Sequence, residues 1–159
     1  MKVYLDNAAT TAIHPDVVET MIPVLRNQFG NPSSIHAFGR EVRSAVEAAR
    51  KKVATLLKTS PSEIFFTSGG TEADNMAIRC GIHDLGLKHA ITSALEHHAV
   101  LHTLEELAHK GEVKLSIVNV DEQGHIDLVH LEELLKNNDR SFVSLMHANN
   151  EIGTLIPLQ

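Results

Sequence analysis

The chain has 159 residues, of which 43% are apolar and 21% charged, and its formal net charge is −6. That is length enough for a domain with a sizeable core, and the balance is ordinary for a soluble globular protein. A mildly acidic chain gives no electrostatic reason to expect nucleic acid or an anionic membrane as partner, and no apolar run approaches the roughly 20 residues that cross a bilayer.

The opening Met1-Lys2-Val3-Tyr4-Leu5-Asp6 lacks a secretory pattern, because an acidic residue follows too short an apolar stretch. A cytoplasmic location is therefore expected. Cys80 is the only cysteine, which excludes an internal disulfide or a cysteine-based metal cluster. Its place in a helical run predicts that it packs inside.

His14-Pro15-Asp16 opens the first expected helix, with proline near its first position. Val17, Val18, Met21, Val24 and Leu25 recur at helical spacing, Pro23 predicts a kink or break, and Gly30 a stop. Asn31-Pro32-Ser33-Ser34 reads as a loop. A second helix is expected from about Phe38 to Lys58, with Val42, Ala45, Val46, Ala49, Val53 and Leu56 on one stripe.

After Pro61 strand and helix alternate. Strands are expected at Ile64–Thr67, Ala90–Ser93, Val113–Val118 and Phe142–Met146. Helices are expected from Thr71 to about Asp84, His97 to His109 and Asp127 to Lys136. That order predicts an α/β fold, in which amino-terminal helices precede a mostly parallel, helix-flanked sheet with right-handed crossovers. The last residues, Ile152 to Gln159, show no helix termination and no polar tail, and read as a chain cut in mid-fold.

Three segments carry candidate chemistry. Phe66-Thr67-Ser68-Gly69-Gly70-Thr71 runs from an expected strand through two glycines into a helix. Glycine lets backbone approach a ligand, and a helix start offers free N–H groups and partial positive charge to a phosphate. A plain connection capped by Thr71 is the alternative. The turn is neither a Walker loop nor a dinucleotide fingerprint, and without a ribose-reading acid a nucleotide-binding domain ranks low.

Glu96-His97-His98 follows a strand, where open α/β sheets bind ligands. A histidine there can stack on an aromatic cofactor and move protons. His98 and His102 are four apart and could share a helix face, but no third ligand or His-Glu-x-x-His pattern supports a metal. His147-Ala148-Asn149-Asn150 ends the last strand and offers amide donors, or is ordinary loop chemistry. The loops around Asn7 and His36 read alone as turns and caps.

Taken together, five segments in order resemble the cysteine desulfurase family, within the class V aminotransferases of pyridoxal-phosphate (PLP) fold type I. They are Tyr4–Thr11, Gly30–His36, Thr67–Glu72, Glu96–Leu101 and Met146–Gly153. The resemblance covers nearly the whole chain and implies a truncated fold type I large domain. Residues 1–15 and 30–36 would be active-site-entrance loops, and about 60–159 part of the cofactor-binding domain.

The resemblance implies that Gly70 and Thr71 hold the PLP phosphate, that His97 stacks on the ring and assists proton movement, and that Asn150 hydrogen-bonds near the ring hydroxyl. Asn7 and His36 would lie on the substrate side. The family often has alanine where this chain has Gly70, and a backbone contact survives that change. It further implies removal of sulfur from L-cysteine, giving alanine and an enzyme persulfide, with transfer to an acceptor such as an iron-sulfur scaffold, in a homodimer.

The family's ring-nitrogen aspartate, cofactor-anchoring lysine and sulfur-attacking cysteine would all follow residue 159, and Cys80 is not at the nucleophile position. Residues 1–159 alone are therefore expected to be inactive and to aggregate through an open sheet edge. Other class V aminotransferases, selenocysteine lyases and a non-catalytic binding domain are the alternatives.

Overall fold

The computed structural model describes residues 1–157. They divide into two compact units, Met1–Phe66 and the remainder from Thr67 onward.

The first unit holds two helices, α1 (Pro15–Asn27) and α2 (Ala37–Leu57), and one turn of 3-10 helix at Pro61–Glu63. His14 caps α1, its Nδ1 accepting from the Asp16 amide, and Pro15 occupies the first turn. Pro23 does not break this helix. The carbonyl four residues earlier belongs to exposed Glu19, so water can take the place of the missing amide. The helix ends at Asn27, before Gly30.

Gly30 and Gly39 answer a different need. A Cβ on Gly39 would stand 2.5 Å from the carbonyl oxygens of Asn31 and Ser34, and one on Gly30 2.4 Å from that of Phe38. The Gly30–Ser34 loop is thus laid directly on the first turn of α2, and Arg43 holds it by donating to Pro32 O at 2.9 Å.

The expected strand at Ile64–Thr67 does not form. The backbone is extended at Ile64, but no neighbouring strand offers a ladder among the described residues. Arg50 takes over instead: its guanidinium donates to Ile64 O and lies 4.9 Å from the Phe66 ring centroid.

The second unit alternates helix and strand: α3 (Gly70–Asp84), β1 (His89–Ser93), α4 (His98–His109), β2 (Lys114–Val118), α5 (Leu128–Lys136) and β3 (Phe142–Val143). The sheet order is β2-β1-β3, all parallel, with Ala90 paired to both Leu115 and Phe142. The chain steps one way from β1 to β2 and back past β1 to reach β3. Crossovers of the same right hand then put α4 and α5 on opposite faces.

The core forms where α3 and α4 cover the Ala90 face: Ile78 and Ile82 from α3, Val100, Leu104 and Leu107 from α4, with Leu115 and Phe142 packed alongside. Cys80 is exposed, contrary to the expectation that it packs inside. Ile78 and Ile82 are four apart and share the buried face, and a residue midway between them points the other way.

Every residue of the central strand β1 is buried, including its polar ones. His89 satisfies both ring nitrogens, with Ser141 Oγ at 2.7 Å and Ser116 Oγ at 2.8 Å, so one imidazole ties β1 to β2 and to the residue just before β3. Burial, and then the Lys114 charge, push its pKa down. A base so depressed keeps its stabilising neutral form above its ordinary pKa and loses that contribution as pH falls below it.

The strand expected over Phe142–Met146 is only two residues of ladder. Backbone pairing with β1 reaches Ser144, whose N donates to Ile91 O at 3.0 Å; beyond it Thr92 Oγ1 donates to Ser144 O at 3.0 Å and the Glu96 carboxylate accepts from Met146 N. Side chains from β1 and its loop replace the ladder and leave the backbone free to turn.

Candidate active site

The carboxyl ends of adjacent parallel strands are where open α/β sheets present ligand-binding loops. The loop after β1 carries Glu96 and His97, and the segment after β3 leads to Asn149 and Asn150.

His97 is the N-cap of α4. Its Nδ1 accepts from the Ala99 amide at 3.1 Å. A nitrogen that accepts carries no proton, so the neutral ring bears its hydrogen on Nε2, at the exposed edge. The expected helix from His97 to His109 thus begins one residue later, with His97 outside it as its cap.

Gly70 opens α3, and Gly69, at its N-cap, provides no side-chain cap. The first amides of that helix carry the partial positive charge of a helix start. Neither Gly69 nor Gly70 has any atom within 4 Å of where a Cβ would stand, so the turn is open. Glu72 lies alongside, its carboxylate accepting from Ser68 Oγ at 2.6 Å and Ser68 N at 2.7 Å. Those bonds, the hydroxyl first, lower its pKa.

Asn75 joins these two helix starts. Its Nδ2 donates to Thr71 O at 2.9 Å and to Ala99 O at 3.3 Å, and Thr71 and His97 line one cleft with Asn75, His98 and His102. The rings of His98 and His102 stack at 5.0 Å.

Two amides stand side by side after β3, with different surroundings. Asn149 is a structural hub: Oδ1 accepts from Glu151 N at 2.8 Å and Ile152 N at 3.0 Å, and Nδ2 donates to Leu95 O at 3.0 Å. Asn150 lies exposed on the turn that Asn149 builds, its Nδ2 3.2 Å from Glu151 Oε1. The Leu95 bond and the Glu96–Met146 bond tie this turn to the His97 loop.

Gly70, Thr71, His97 and the Asn150 turn therefore belong to one assembly in the second unit. Asn7 and His36 belong to the first. Asn7 lies in a turn closed by Ala9 N and Thr10 N on Asp6 O. His36 caps α2, its Nδ1 accepting from Gly39 N at 3.3 Å.

Sequence reasoning missed the residues that hold the assembly: Asn75, Asn149 and Glu96. Glu96 carried a signal, being an acid in a segment otherwise headed for the interior. It exposes 9% of its surface. Burial raises its pKa, the Met146 amide opposes this, and the Asp74 charge adds to it. For a raised carboxyl the contribution to stability is full below the ordinary value and is lost as pH rises through the folded one.

A parallel sheet flanked by helices, with loops brought together beyond its strand ends, defines an α/β domain. The sequence profile of the family described as aminotransferase class-V matches residues 3–159, and the chain belongs to that family.

Its most similar relatives include the cysteine desulfurase IscS of Dictyoglomus turgidum, 49% identical over 99% of this chain and 40% of that protein. A putative cysteine desulfurase IscS 1 of Bacillus subtilis is 45% identical over 99% and 42%. Among solved structures, a NifS-like protein superposes with a TM-score of 0.86 at 44% identity, covering 98% of this chain and 43% of its own. SspA in complex with cysteine gives 0.81 at 33% identity, covering 93% and 43%.

The chain thus spans about two-fifths of the length of the curated relatives it matches. These neighbours share the mixed fold with a parallel sheet. The family is one of PLP-dependent enzymes, and the curated relatives bear the name cysteine desulfurase. No helix among the described residues is long and apolar enough to cross a membrane.

Proposed function

We propose that these residues form the phosphate- and ring-binding part of a PLP-dependent cysteine desulfurase, acting on L-cysteine in the cytoplasm as a homodimer and passing sulfur to an acceptor protein such as an iron-sulfur scaffold. The observation that carries the reading is the Asn75 bridge, which joins the open start of α3 to the start of α4 beside His97. Identity of 49% to a cysteine desulfurase, and a cysteine complex among the structural neighbours, favour this substrate over those of other class V enzymes.

The open turn suits PLP. Gly70 and Thr71 would receive the phosphate on backbone amides and the Thr71 hydroxyl, with the helix start supplying positive potential. His97 would lie against the ring and hold or release a proton at Nε2, its other nitrogen being committed to Ala99 N. Asn150 would donate from Nδ2 to the ring hydroxyl. Bound PLP supplies the electron sink that lets bonds at the α- and β-carbons of an amino acid be broken. Asn7 and His36 are assigned to the substrate side of the complete site.

The test uses the protein from its complete reading frame. It should bind PLP with a visible absorption band and release sulfur from L-cysteine. His97→Ala should lower turnover by about 10²-fold or more, the scale of a lost proton-transfer group. Sulfur release from cysteine that is undiminished in His97→Ala would overturn the role of His97. Action on selenocysteine but not cysteine would move the substrate to the selenium analogue. For residues 1–159 alone, borohydride should fix no PLP to any lysine.

A further inference from the structure

The site proposed above depends on two loops that leave different strands, and their spacing needs an agent. Thr92 Oγ1 reaches Ser144 O and Asn149 Nδ2 reaches Leu95 O, but neither is made by the residue next to His97. The third tie is of another kind. Glu96 directly precedes His97, is buried, and its carboxylate accepts from the Met146 amide in the segment leading to Asn150. A buried acid is costly to place and is ordinarily avoided unless something is gained. No cation is paired with it among the described residues' ion pairs. Asp74 on α3 adds like charge instead.

Position explains the cost. β3 keeps only two residues of ladder, so the chain beyond it is not aligned by a sheet. The Met146 amide would otherwise lack the ladder partner it has given up. An acceptor on the residue next to His97 captures that amide and makes the path of the Asn150 segment depend on the path of the His97 loop.

We propose that Glu96 is a positioning residue: by accepting the Met146 amide it sets the spacing between His97 and Asn150, so that both address one bound ligand. The inference rests on the proposed PLP site but is separable from it. Asn149 keeps the turn's own shape, and Glu96 sets where that turn sits. Glutamine retains an acceptor of equal reach, whereas aspartate is one methylene short and alanine has none.

The experiment compares Glu96→Ala, Glu96→Asp and Glu96→Gln in the protein from its complete reading frame. In cofactor-free protein, Glu96→Ala should speed hydrogen exchange at the Met146 amide by about tenfold or more, the scale of leaving a part-buried amide without its partner. The ring signals of His97 and the side-chain amide signals of Asn150 should move, while exchange in the cores of α3 and α4 stays as in wild type. Affinity for PLP should fall by about tenfold. Glu96→Asp should follow alanine, and Glu96→Gln should stay within about twofold of wild type.

Faster exchange at Met146 with unchanged PLP affinity would overturn the positioning role. Glutamine as damaging as alanine would overturn it too, because charge rather than the bond would then matter. If Glu96→Ala does not fold, the aspartate and glutamine pair decides by the same readouts. Wild-type protein that binds no PLP would sink the functional reading, while the exchange and ring signals would still uphold or overturn the coupling of the two loops.

Discussion

α4 buries five of its twelve residues, whereas α1 buries none and α2 only Gly39 and Ala54. The two units thus hold their helices by different means. In residues 1–66 the visible supports are local. His14 and His36 cap α1 and α2. Lys58 turns left-handed (φ 55°) to end α2, and the Ser60–Glu63 capping box starts the next turn. The apolar stripe of α1 stays exposed, with Val24 at 45% and Leu25 at 74%. From Thr67 onward α3 and α4 close on a shared core, and one cap serves a second purpose: the cap of α4 is also the candidate catalytic ring.

The comparison teaches where function can be placed at low cost. A cap on a helix locked by packing can afford an exposed, reactive side chain, because the helix does not depend on it alone. A cap on a helix with little burial carries a larger share of that helix's stability.

The largest effect that would break this contrast is in the core. Leu104→Ala should destabilise the second unit by about 2–5 kcal/mol, since Leu104 is fully buried between α3, α4 and the sheet. Chemical denaturation followed by a probe in each unit would read it. A loss of less than about 1 kcal/mol would mean that the core does not hold α4.

Ser60→Ala should cost about 1 kcal/mol, because it removes the hydroxyl that accepts from Ser62 N at 3.3 Å. Hydrogen exchange should locate that loss in the turn at Pro61–Glu63 and the end of α2. An effect spread evenly over α3 to α5 would contradict the local character assigned to the first unit.

The smallest effect sharpens the contrast at the site itself. Gly70→Ala should leave PLP affinity unchanged and raise stability by a few tenths of a kcal/mol, because no atom meets the added Cβ and alanine is the better helix former. A marked loss of affinity would show that the phosphate approaches the Cα more closely than the amides require.

Much of the second unit was legible in the residues. α3, α4, α5, β1 and β2 lie within one residue of where periodicity and turn signals predict them. The alternation of strand and helix also led correctly to a parallel sheet. The misses share a cause. Ile64–Thr67 has strand composition but no neighbour to pair with among the described residues, and Phe142–Met146 has the composition of a longer strand whose end is taken by side chains. Cys80 was misjudged because exposure, not residue type, decides where a thiol lies, and at Pro23 the helix runs on without a break.

The candidate site was half legible. Gly70, Thr71, His97 and Asn150 stand at junctions between elements, and such junctions can be read from order alone. Nothing in sequence order separates Asn149 from Asn150, or says which ring nitrogen His97 commits to its helix.

The succession of elements, the fold class and the family were set by local patterns of polarity and by short motifs, which act through neighbours in sequence. Which amide builds the turn, which nitrogen of His97 is committed, and that Glu96 is buried against Met146 were decided only in three dimensions. Two of those facts rest on bonds between partners some 50 residues apart, Asn149 to Leu95 and Glu96 to Met146, brought within hydrogen-bond reach by the burial of β1 between its two neighbours.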